Sequence, residues 1–549
     1  MKRLFKRLCC VFLTILLLTV LAGCSPREPD TGAGRPFSTV LPEDPACLDP
    51  QFTENESAFL VLRNITEGLL RLDAGGNPVP AGAGSYTVSD DGLSYLFNLK
   101  ENSFWFGKNM DPERPERVTS RDYVFAFQRL VDPSMRSPYA DDFRCIRNAS
   151  AIIEGKKSPS TLGVTAPDGN SVLFELEYPY PEFPLLLTRT CAVPCNQKFF
   201  ESTNGRYGLD EDTILCNGAF YLTKWNYDQY SSGNFITLRK CSHYHDPDAV
   251  FPNSLQITIC HSRDEAETFF TDGNADVLLT DRYHADLLHD RHYTVQTSAA
   301  STLGLIFNPE NELLHDSRLR EAIACGIDRS AMEPLLSEDT QIAYGLLPPA
   351  VKVLGSSYRS VQSDRPLADS YDPDKASTLF AQATEGLGLE KMNSVRVMVP
   401  STLKDTDALL EMCQNWQALF GSYIGIETVS PAEYRNRMSS GDYTIALYSI
   451  TPDAPTCYAG ICAFADRSEL LGLENRYFRS LVEGLSRPVN LADTAELCAK
   501  AEKVVVDSHC FIPLLYKNSY LIATVGNRDI VFDPFTLSAD FISAKYLPE

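Results

Sequence analysis

Residues 395–448 read VRVMVPSTLKDTDALLEMCQNWQALFGSYIGIETVSPAEYRNRMSSGDYTIALY, and the alternating pattern of this stretch indicates the fold class. Three short apolar runs predict strands at 395–399, 424–429 and 443–448. Between them, 409–419 has the apolar spacing of a helix, and Ser430-Pro-Ala-Glu433 is a capping box with proline at the first helical position. A strand-helix-strand-helix-strand order requires a parallel sheet covered by helices, so we predict an α/β protein.

The pattern continues on both sides of this stretch. Helices are predicted after Asp316 and after Asp372-Pro373, and a helix at 491–507 leads into an apolar strand at 511–516 that can return to an earlier part of the sheet. The N-terminal half predicts a helix over 59–70 and a charged, helix-like stretch around 284–292. Strands are predicted at 37–41, 94–100, 172–176, 218–225, 235–240 and 255–259.

Length and charge restrict the class of protein. A chain of 549 residues is too long for one hydrophobic core, so two or more lobes are expected. The formal net charge is -23, which argues against nucleic acid and against adhesion to an anionic surface through a basic patch.

The N-terminus has the build of a secretory signal. Basic residues between positions 2 and 7 precede an apolar run at 8–21, which is too short to span a bilayer. The run ends in Leu21-Ala22-Gly23-Cys24, which resembles the lipobox of bacterial lipoproteins; the alternative is an ordinary signal peptide with a cysteine at its cleavage site. The resemblance implies a mature chain that begins at Cys24 and carries lipid there. It would lie on the outer face of the cell membrane, or face the periplasm where the cell has an outer membrane.

Sixteen cysteines is a high count, and 13 remain once Cys9, Cys10 and Cys24 are set aside. The pairs 191/195 and 457/462 have the spacing for short disulfides. The others are irregularly spaced and mostly lie in apolar patterns, so we interpret the majority as small buried hydrophobic residues.

Short motifs along the whole mature chain resemble the extracytoplasmic solute-binding proteins of peptide and nickel ABC importers. They follow the order of that family, and Ser137-Pro138-Tyr139-Ala140 is similar to its oligopeptide-binding branch. The motifs are Leu48-Asp49-Pro50, Glu67-Gly68-Leu69, Tyr95-Leu-Phe-Asn-Leu-Lys100, Asn217-Gly218-Ala219-Phe220, Phe270-Thr-Asp-Gly273, Phe307-Asn308, Arg320-Glu-Ala-Ile323, Gly326-Ile-Asp-Arg329, Tyr344-Gly-Leu-Leu-Pro-Pro349 and Ile512-Pro513.

The resemblance implies a bilobal α/β fold of the periplasmic-binding-protein type (type II, large peptide-binding cluster) with an extra inserted α+β domain. It places a signal peptide at 1–23, a flexible tether at 24–36, lobe I at 37–58, 191–290 and 509–549, an inserted subdomain at 59–190, and lobe II at 291–508. It also implies a monomer that encloses a peptide between closing lobes and docks on an ABC permease with its ATPase.

The resemblance also implies candidate peptide-binding residues. Asp453 takes the place of an acidic residue that pairs with a peptide α-ammonium if two residues are missing before Pro455; an ungapped match puts Thr451 there. Asp453 as a simple turn residue is the alternative. Tyr139 and Tyr434 match pocket aromatics, and core packing is the alternative for both.

Three kinds of short motif would indicate metal binding, nucleophilic catalysis or phosphate binding instead of peptide binding. Cys241-Ser-His243-Tyr-His245 has a spacing that could present three metal ligands on one face of a strand, but the family has a metal-free loop at this position. The sequence contains no nucleophile elbow, and Gly155-Lys156-Lys157-Ser158 lacks the first glycine of a phosphate loop. We therefore expect no enzyme, no cofactor and no metal. The rival functions are a non-peptide cargo (nickel chelate, haem, sugar or opine) and a surface sensor lipoprotein.

Overall fold

The computed structural model describes residues 34–111, 114–338, 340–362, 367–386, 392, 394–488 and 490–547. The predicted signal peptide and the predicted lipid-attachment residue Cys24 lie outside these residues. No helix in the described ranges combines the length and the apolar character that a bilayer crossing requires.

One sheet of eleven strands connects two lobes. Lobe I contributes the first five strands across the sheet, two long strands form the middle, and lobe II contributes the last three; the short strand Gln341–Ile342 pairs beside them. In order across the sheet the strands are Phe220–Asn226, Phe235–Lys240, Ser254–Ile259, Pro36–Leu41, Val277–Thr280, Phe511–Thr524, Tyr293–Phe307, Ile445–Ile450, Arg396–Pro400 and Gly425–Val429.

The two long strands, Tyr293–Phe307 and Phe511–Thr524, are called the crossing strands here. They pair antiparallel along almost their whole length, from Thr294 opposite Ala523 in lobe I to Ile306 opposite Phe511 in lobe II. Their register shifts between Ala299 and Ser301, so the ladder is irregular midway between the lobes. Two strands that continue from one sheet half into the other are the two covalent connections between the lobes.

Lobe II has the predicted parallel arrangement. Arg396–Pro400 pairs parallel to both Gly425–Val429 and Ile445–Ile450. Helices Thr406–Phe420 and Pro431–Ser440 make the two crossovers, and the Ser430 hydroxyl accepts the backbone N–H of Glu433 as a capping box requires. The middle of Arg396–Pro400 and the first half of Ile445–Ile450 are buried on both faces, which explains their apolar sequences, whereas the outer strand Gly425–Val429 exposes Thr428.

A separate four-stranded antiparallel sheet, called the inserted sheet, lies within the segment 59–190 for which we predicted a subdomain. Its strands follow the order Ala83–Val88, Ser94–Leu99, Ser171–Glu175 and Val164–Thr165. Phe97 and Phe127 pack edge-on against Phe174 in its core. The boundaries of the lobes stay a prediction.

The remaining elements complete the lobes. The helices outside lobe II's crossovers are Glu56–Ile65, Ser120–Val131, Ala149–Ile153, Phe183–Leu186, Gln197–Ser202, Arg263–Thr271, Ala285–Leu288, Ser317–Cys325, Arg329–Met332, Tyr358–Val361, Pro373–Ala383, Cys457–Ala465, Ser468–Leu471, Arg476–Leu485 and Leu491–Ser508. Two-stranded ribbons pair Leu70–Leu72 with Pro78–Pro80, Phe104–Trp105 with Glu116–Arg117, Lys352–Val353 with Ser356–Ser357, Asn527–Arg528 with Lys545–Tyr546, and Val531–Asp533 with Ser538–Asp540.

Two element predictions were wrong. The helix expected to run to residue 70 ends at Ile65, because the carbonyl of Ile65 accepts the N–H groups of Asn217 and Gly218. A Cβ at position 218 would lie 2.8 Å from the carbonyl carbon of Ile65, so this close approach needs glycine. In the stretch around 284–292 only Ala285–Leu288 is helical, and the first crossing strand begins at Tyr293.

The cysteines of the described residues are free thiols, 13 in number, and neither of the two short disulfides forms. Eleven of the 13 are buried, which confirms their interpretation as small core residues.

Candidate functional site

A cleft lies where the carboxyl ends of parallel strands from both lobes face each other. Pro36–Leu41 and Val277–Thr280 end there from lobe I, and Arg396–Pro400 and Ile445–Ile450 end there from lobe II. Ligands of open α/β sheets bind at this edge, because the loops that follow the strands converge there. Two cavities, each lined by residues of both lobes, occupy the cleft.

The first cavity, called the acidic cavity, has a volume of about 330 Å³. Its lining contains more carboxylates than cations. The charged residues of the lining are Glu54, Glu56, Asp142, Glu182, Asp453 and Asp533 on the acidic side, and Arg63, Arg189 and Arg467 on the basic side.

Asp453 is held in this cavity by the loop 451–456, which leaves the last strand of lobe II. Thr451 shares a hydrogen bond of 2.7 Å with the hydroxyl of Ser301 on a crossing strand. At the other end of the loop, the Thr456 hydroxyl accepts the N–H of Ala459 and begins the helix Cys457–Ala465. Two prolines inside the loop restrict its backbone further, so the backbone at Asp453 is held from both sides.

Arg189 makes the central ion pairs of the acidic cavity. Its guanidinium donates to Asp142 at 2.9 Å and to Asp453 at 2.5 Å, and it lies 5.4 Å from the centre of the Tyr139 ring. Burial opposes its charge, but Asp142 and Asp453 together raise the pKa of Arg189 above its usual value. Arg189 and Asp142 belong to the chain before the crossing strands and Asp453 to lobe II, so this triad joins the two sides of the cleft.

Burial raises the pKa of two carboxyl groups of the acidic cavity, those of Asp142 and Glu182. The pKa of Asp142 rises to about 6, although Arg189 opposes the shift. The pKa of Glu182 rises to about 7, and its carboxylate accepts the N–H of Leu354 at 2.9 Å. Both groups therefore titrate near neutral pH, unlike an exposed carboxyl group.

The second cavity, called the aromatic cavity, has a volume of about 290 Å³. Lys404 is exposed at its edge, on the loop after Arg396–Pro400. The apolar and aromatic part of the lining consists of Tyr283, Tyr434, Tyr448, Tyr516, Tyr520, Leu303, Leu403, Leu447 and Leu515. Such a lining can cover apolar side chains of a ligand and leaves tyrosine hydroxyls to fix orientation.

A row of ion pairs connects the two cavities. Lys517, on a crossing strand, binds Asp281 at 2.5 Å, and Asp281 lies 3.4 Å from Arg263, which binds Glu56 at 2.5 Å. Burial opposes the charge of Asp281, but Lys517 and Arg263 hold its pKa below the usual range. Lys517 and Asp281 line the aromatic cavity and Glu56 lines the acidic one, so the charges between the cavities are compensated within the protein.

The structure brings Asp453 and Tyr139 into the acidic cavity together with Thr451, and it places Tyr434 in the aromatic cavity. The Tyr139 hydroxyl is buried and donates to the carbonyl of Thr53, and the Tyr434 hydroxyl donates to the carbonyl of Leu447 at 2.7 Å. Both tyrosines thus support the walls through their hydroxyl groups. Sequence reasoning missed Arg189 and Lys404, and neither lies in a motif that could have identified it.

The alternating Cys241, His243 and His245 do not point to one centre. Cys241 lies in the core of lobe I, and His243 is exposed beside the ring of Phe106. His245 instead pairs with the buried Glu67 at 2.7 Å. The metal interpretation requires these residues to lie on a strand, but the strand ends at Lys240 and a turn at 242–243 separates Cys241 from His245.

The fold and the cleft define a two-lobed solute-binding protein. Residues 77–469 match the model of the bacterial extracellular solute-binding proteins, family 5, and the chain belongs to this family. It is 26% identical over 458 residues to the dipeptide-binding protein of Lactococcus lactis subsp. cremoris, covering 79% of each chain.

Two solved structures are similar over almost the whole chain. The substrate-binding domain of an oligopeptide ABC transporter from Bacillus anthracis has a TM-score of 0.75 at 23% identity, covering 95% of this chain and 100% of that one. OppA of Listeria monocytogenes bound to peptide has a TM-score of 0.73 at 21% identity, covering 94% and 99%. These similarities agree with the bilobal fold predicted from the sequence.

Proposed function

We propose that this protein is the extracytoplasmic peptide-binding component of an ABC importer. It captures oligopeptides between its two lobes and delivers them to a permease in the membrane that carries its lipid anchor. The proteins to which the chain is similar support this proposal, since they include a dipeptide-binding protein and a peptide-bound OppA.

The observation that carries the proposal is the polarity of the cleft. Carboxylates outnumber cations in the acidic cavity, whereas Lys404 lies at the edge of the aromatic cavity. A peptide in an extended conformation has an ammonium at one end, a carboxylate at the other and side chains between them. The cleft offers a complementary charge at each end and an apolar wall for the side chains.

Thermal unfolding tests this function directly. A ligand that binds only the folded protein raises its free energy of unfolding by RT ln(1 + [L]/Kd), which is about 2.7 kcal/mol at a hundredfold excess over Kd. We expect a mixed library of short peptides to raise the unfolding temperature of the full protein purified in detergent. A library that leaves the unfolding temperature unchanged contradicts the proposal.

A non-peptide cargo is the second candidate. The pairing of Asp453 with Arg189 favours it, because the guanidinium already compensates part of the charge of the Asp453 carboxylate without a ligand. Mass spectrometry of material that co-purifies with the protein separates the two candidates. A mixture of peptides supports the first, and a single nickel chelate, haem, sugar or opine supports the second. Cells that lack the gene should lose the uptake of a labelled peptide, and this loss would show that the protein takes part in transport as well as in binding.

A further inference from the structure

Arg189 places a fixed positive charge where the proposed peptide ammonium would bind. Its guanidinium is only 14% exposed, and both of its terminal nitrogens are engaged by carboxylates, one from each side of the cleft. Asp453 is 53% exposed, and the ion pair to Arg189 engages its Oδ2. Asp453 therefore has a second oxygen with which to meet a ligand while Arg189 stays in place.

The charges around this triad determine how much positive charge a ligand can bring. Asp142, Asp453 and Arg189 together carry one net negative charge when both carboxyl groups are ionised. Two other carboxylates of the cavity are already compensated, since Glu56 pairs with Arg263 and Asp533 with Arg63. Glu54 and Arg467 also line the cavity and carry opposite charges, and Glu182 has the N–H of Leu354 as its partner.

We propose that Arg189 is a specificity-determining residue, which sets the net charge of the Asp142–Arg189–Asp453 triad so that it matches one ligand ammonium. This inference rests on the proposed peptide-binding function and refines it. Without the Arg189 guanidinium, two carboxylates with a net charge of about minus two would face the ligand. With Arg189 and only one of the carboxylates, the net charge would be zero, and an ammonium would gain no electrostatic attraction. The preference for a ligand with one ammonium group therefore depends on the net charge of the triad, to which each side chain adds or subtracts one charge.

Two variants separate charge number from the loss of particular contacts. Asp142→Asn leaves Arg189 to neutralise Asp453, so the triad becomes neutral. Adding Arg189→Gln to Asp142→Asn leaves Asp453 alone and restores one negative charge. The probes are a pool of alanine-initiated pentapeptides and the same pool acetylated at the N-terminus. The measured quantity is the ratio of the two dissociation constants for each variant of the full protein, so any change in the cost of lobe closure cancels.

We expect the wild type to prefer the free-amine pool by about tenfold, Asp142→Asn to lose this preference, and the double variant to regain it to within about twofold. A double variant with no more preference than Asp142→Asn overturns the inference, and so does a wild type that binds both pools equally. A wild type that binds neither pool contradicts the proposed function itself. The unfolding temperature of each variant is measured in parallel, and a value equal to that of the wild type shows that the variant folds.

A matched control is available on the surface. Arg206 and Asp210 form an ion pair four positions apart in a surface loop and line neither cavity. Asp210→Asn and the double variant with Arg206→Gln change the net charge by the same amounts as the test variants. We expect neither to change the ratio of dissociation constants, and a change as large as that of Asp142→Asn would contradict a local charge effect.

Discussion

At the scale of single residues, Asp453 is expected to recognise the amino terminus of a bound peptide. Asp453→Asn keeps the shape of the side chain and removes its charge, so the attraction to an ammonium is lost. We predict that this variant binds free-amine peptides about tenfold more weakly and N-acetylated peptides with unchanged affinity. Isothermal titration with both forms measures the difference. Equal losses for the two forms would instead assign Asp453 the role of a turn residue.

Lys404 is expected to act at the opposite end of the same cleft. Its ammonium is exposed, so its attraction to a peptide carboxylate is screened by solvent and worth at most about 1 kcal/mol. We predict that Lys404→Gln weakens the binding of free-acid peptides by about two- to fivefold and leaves C-terminal amides unaffected. Titrations with amidated peptides test this prediction. If Lys404→Gln instead changed the preference for free-amine over N-acetylated peptides, the proposed orientation of the peptide in the cleft would be contradicted.

The raised pKa of Asp142 makes the selectivity depend on pH. Burial raises this pKa to about 6, while Arg189 lowers it and Asp453, Asp141 and Asp466 raise it. Below this value Asp142 gains a proton, so the triad loses its net negative charge as the pH falls. We predict that the preference for free-amine over N-acetylated peptides decreases by about three- to tenfold between about pH 7 and about pH 5. Asp142→Asn should remove most of this pH dependence, whereas Glu182→Gln, which removes the other cavity carboxyl group with a raised pKa, should leave it in place.

At the scale of secondary structure elements, the helix Leu491–Ser508 fixes the loop 343–351 of lobe II through one carboxylate. Glu502 has a fully buried side chain and accepts the N–H groups of Leu346 and Leu347, both at 2.9 Å. It also accepts the hydroxyl of Tyr358 at 2.7 Å and pairs with Arg359 at 2.7 Å. The carboxylate thus receives donors from two neighbouring segments, the loop 343–351 and the helix Tyr358–Val361, and a buried charge is tolerable only with such partners.

Loss of this carboxylate should be costly. Glu502→Gln presents an amide N–H to groups that are themselves donors and leaves Arg359 without its charge partner. We predict that it lowers the free energy of unfolding by about 3–5 kcal/mol, measured by urea denaturation. Glu496→Gln is the control on the same helix, since Glu496 makes an exposed pair with Lys500; its effect should stay below about 0.5 kcal/mol. Similar effects for the two variants would contradict the anchoring role.

The elements that sequence could predict are those with one environment along their length. The inner strands of lobe II are largely buried and the helices around them carry explicit caps, so the patterns at Ser430 and Asp372 were sufficient. The first crossing strand was missed because its surroundings change from largely exposed at Thr294 and Gln296 to buried near Leu305, and no single period describes it. The early end of the helix Glu56–Ile65 depends on Asn217 and Gly218, which are distant in sequence.

The candidate site was predictable to a similar extent. Asp453 and Tyr139 could be identified because motifs of the family surround them. Arg189 could not, because its role depends on Asp453, which lies 264 positions further along the chain. Only the folded arrangement of the lobes brings these side chains together.

At the scale of the whole molecule, few polar contacts join the region of the inserted sheet to lobe II across the cleft. Among the described residues they include the pair of Arg189 and Asp453, the hydrogen bond from Leu354 to Glu182, one from Lys352 to the carbonyl of Gly75 at 3.2 Å, and the guanidinium of Arg487 at 4.9 Å from the centre of the Tyr178 ring. The crossing strands hold the lobes together in any state. Because the contacts across the cleft are few, we infer that a bound ligand supplies much of the free energy that favours closure.

The predicted lipid anchor determines where this closure takes place. Thioether-linked lipid on Cys24 would hold the mature chain on the membrane, since each buried CH₂ contributes about 0.8 kcal/mol. We predict that Cys24→Ser abolishes the incorporation of a labelled fatty acid into the protein in growing cells. Cys9→Ser and Cys10→Ser are matched controls, because both residues lie in the predicted signal peptide and leave with it. Label that persists in Cys24→Ser, or disappears in either control, would contradict attachment at Cys24 and favour an ordinary secretory signal.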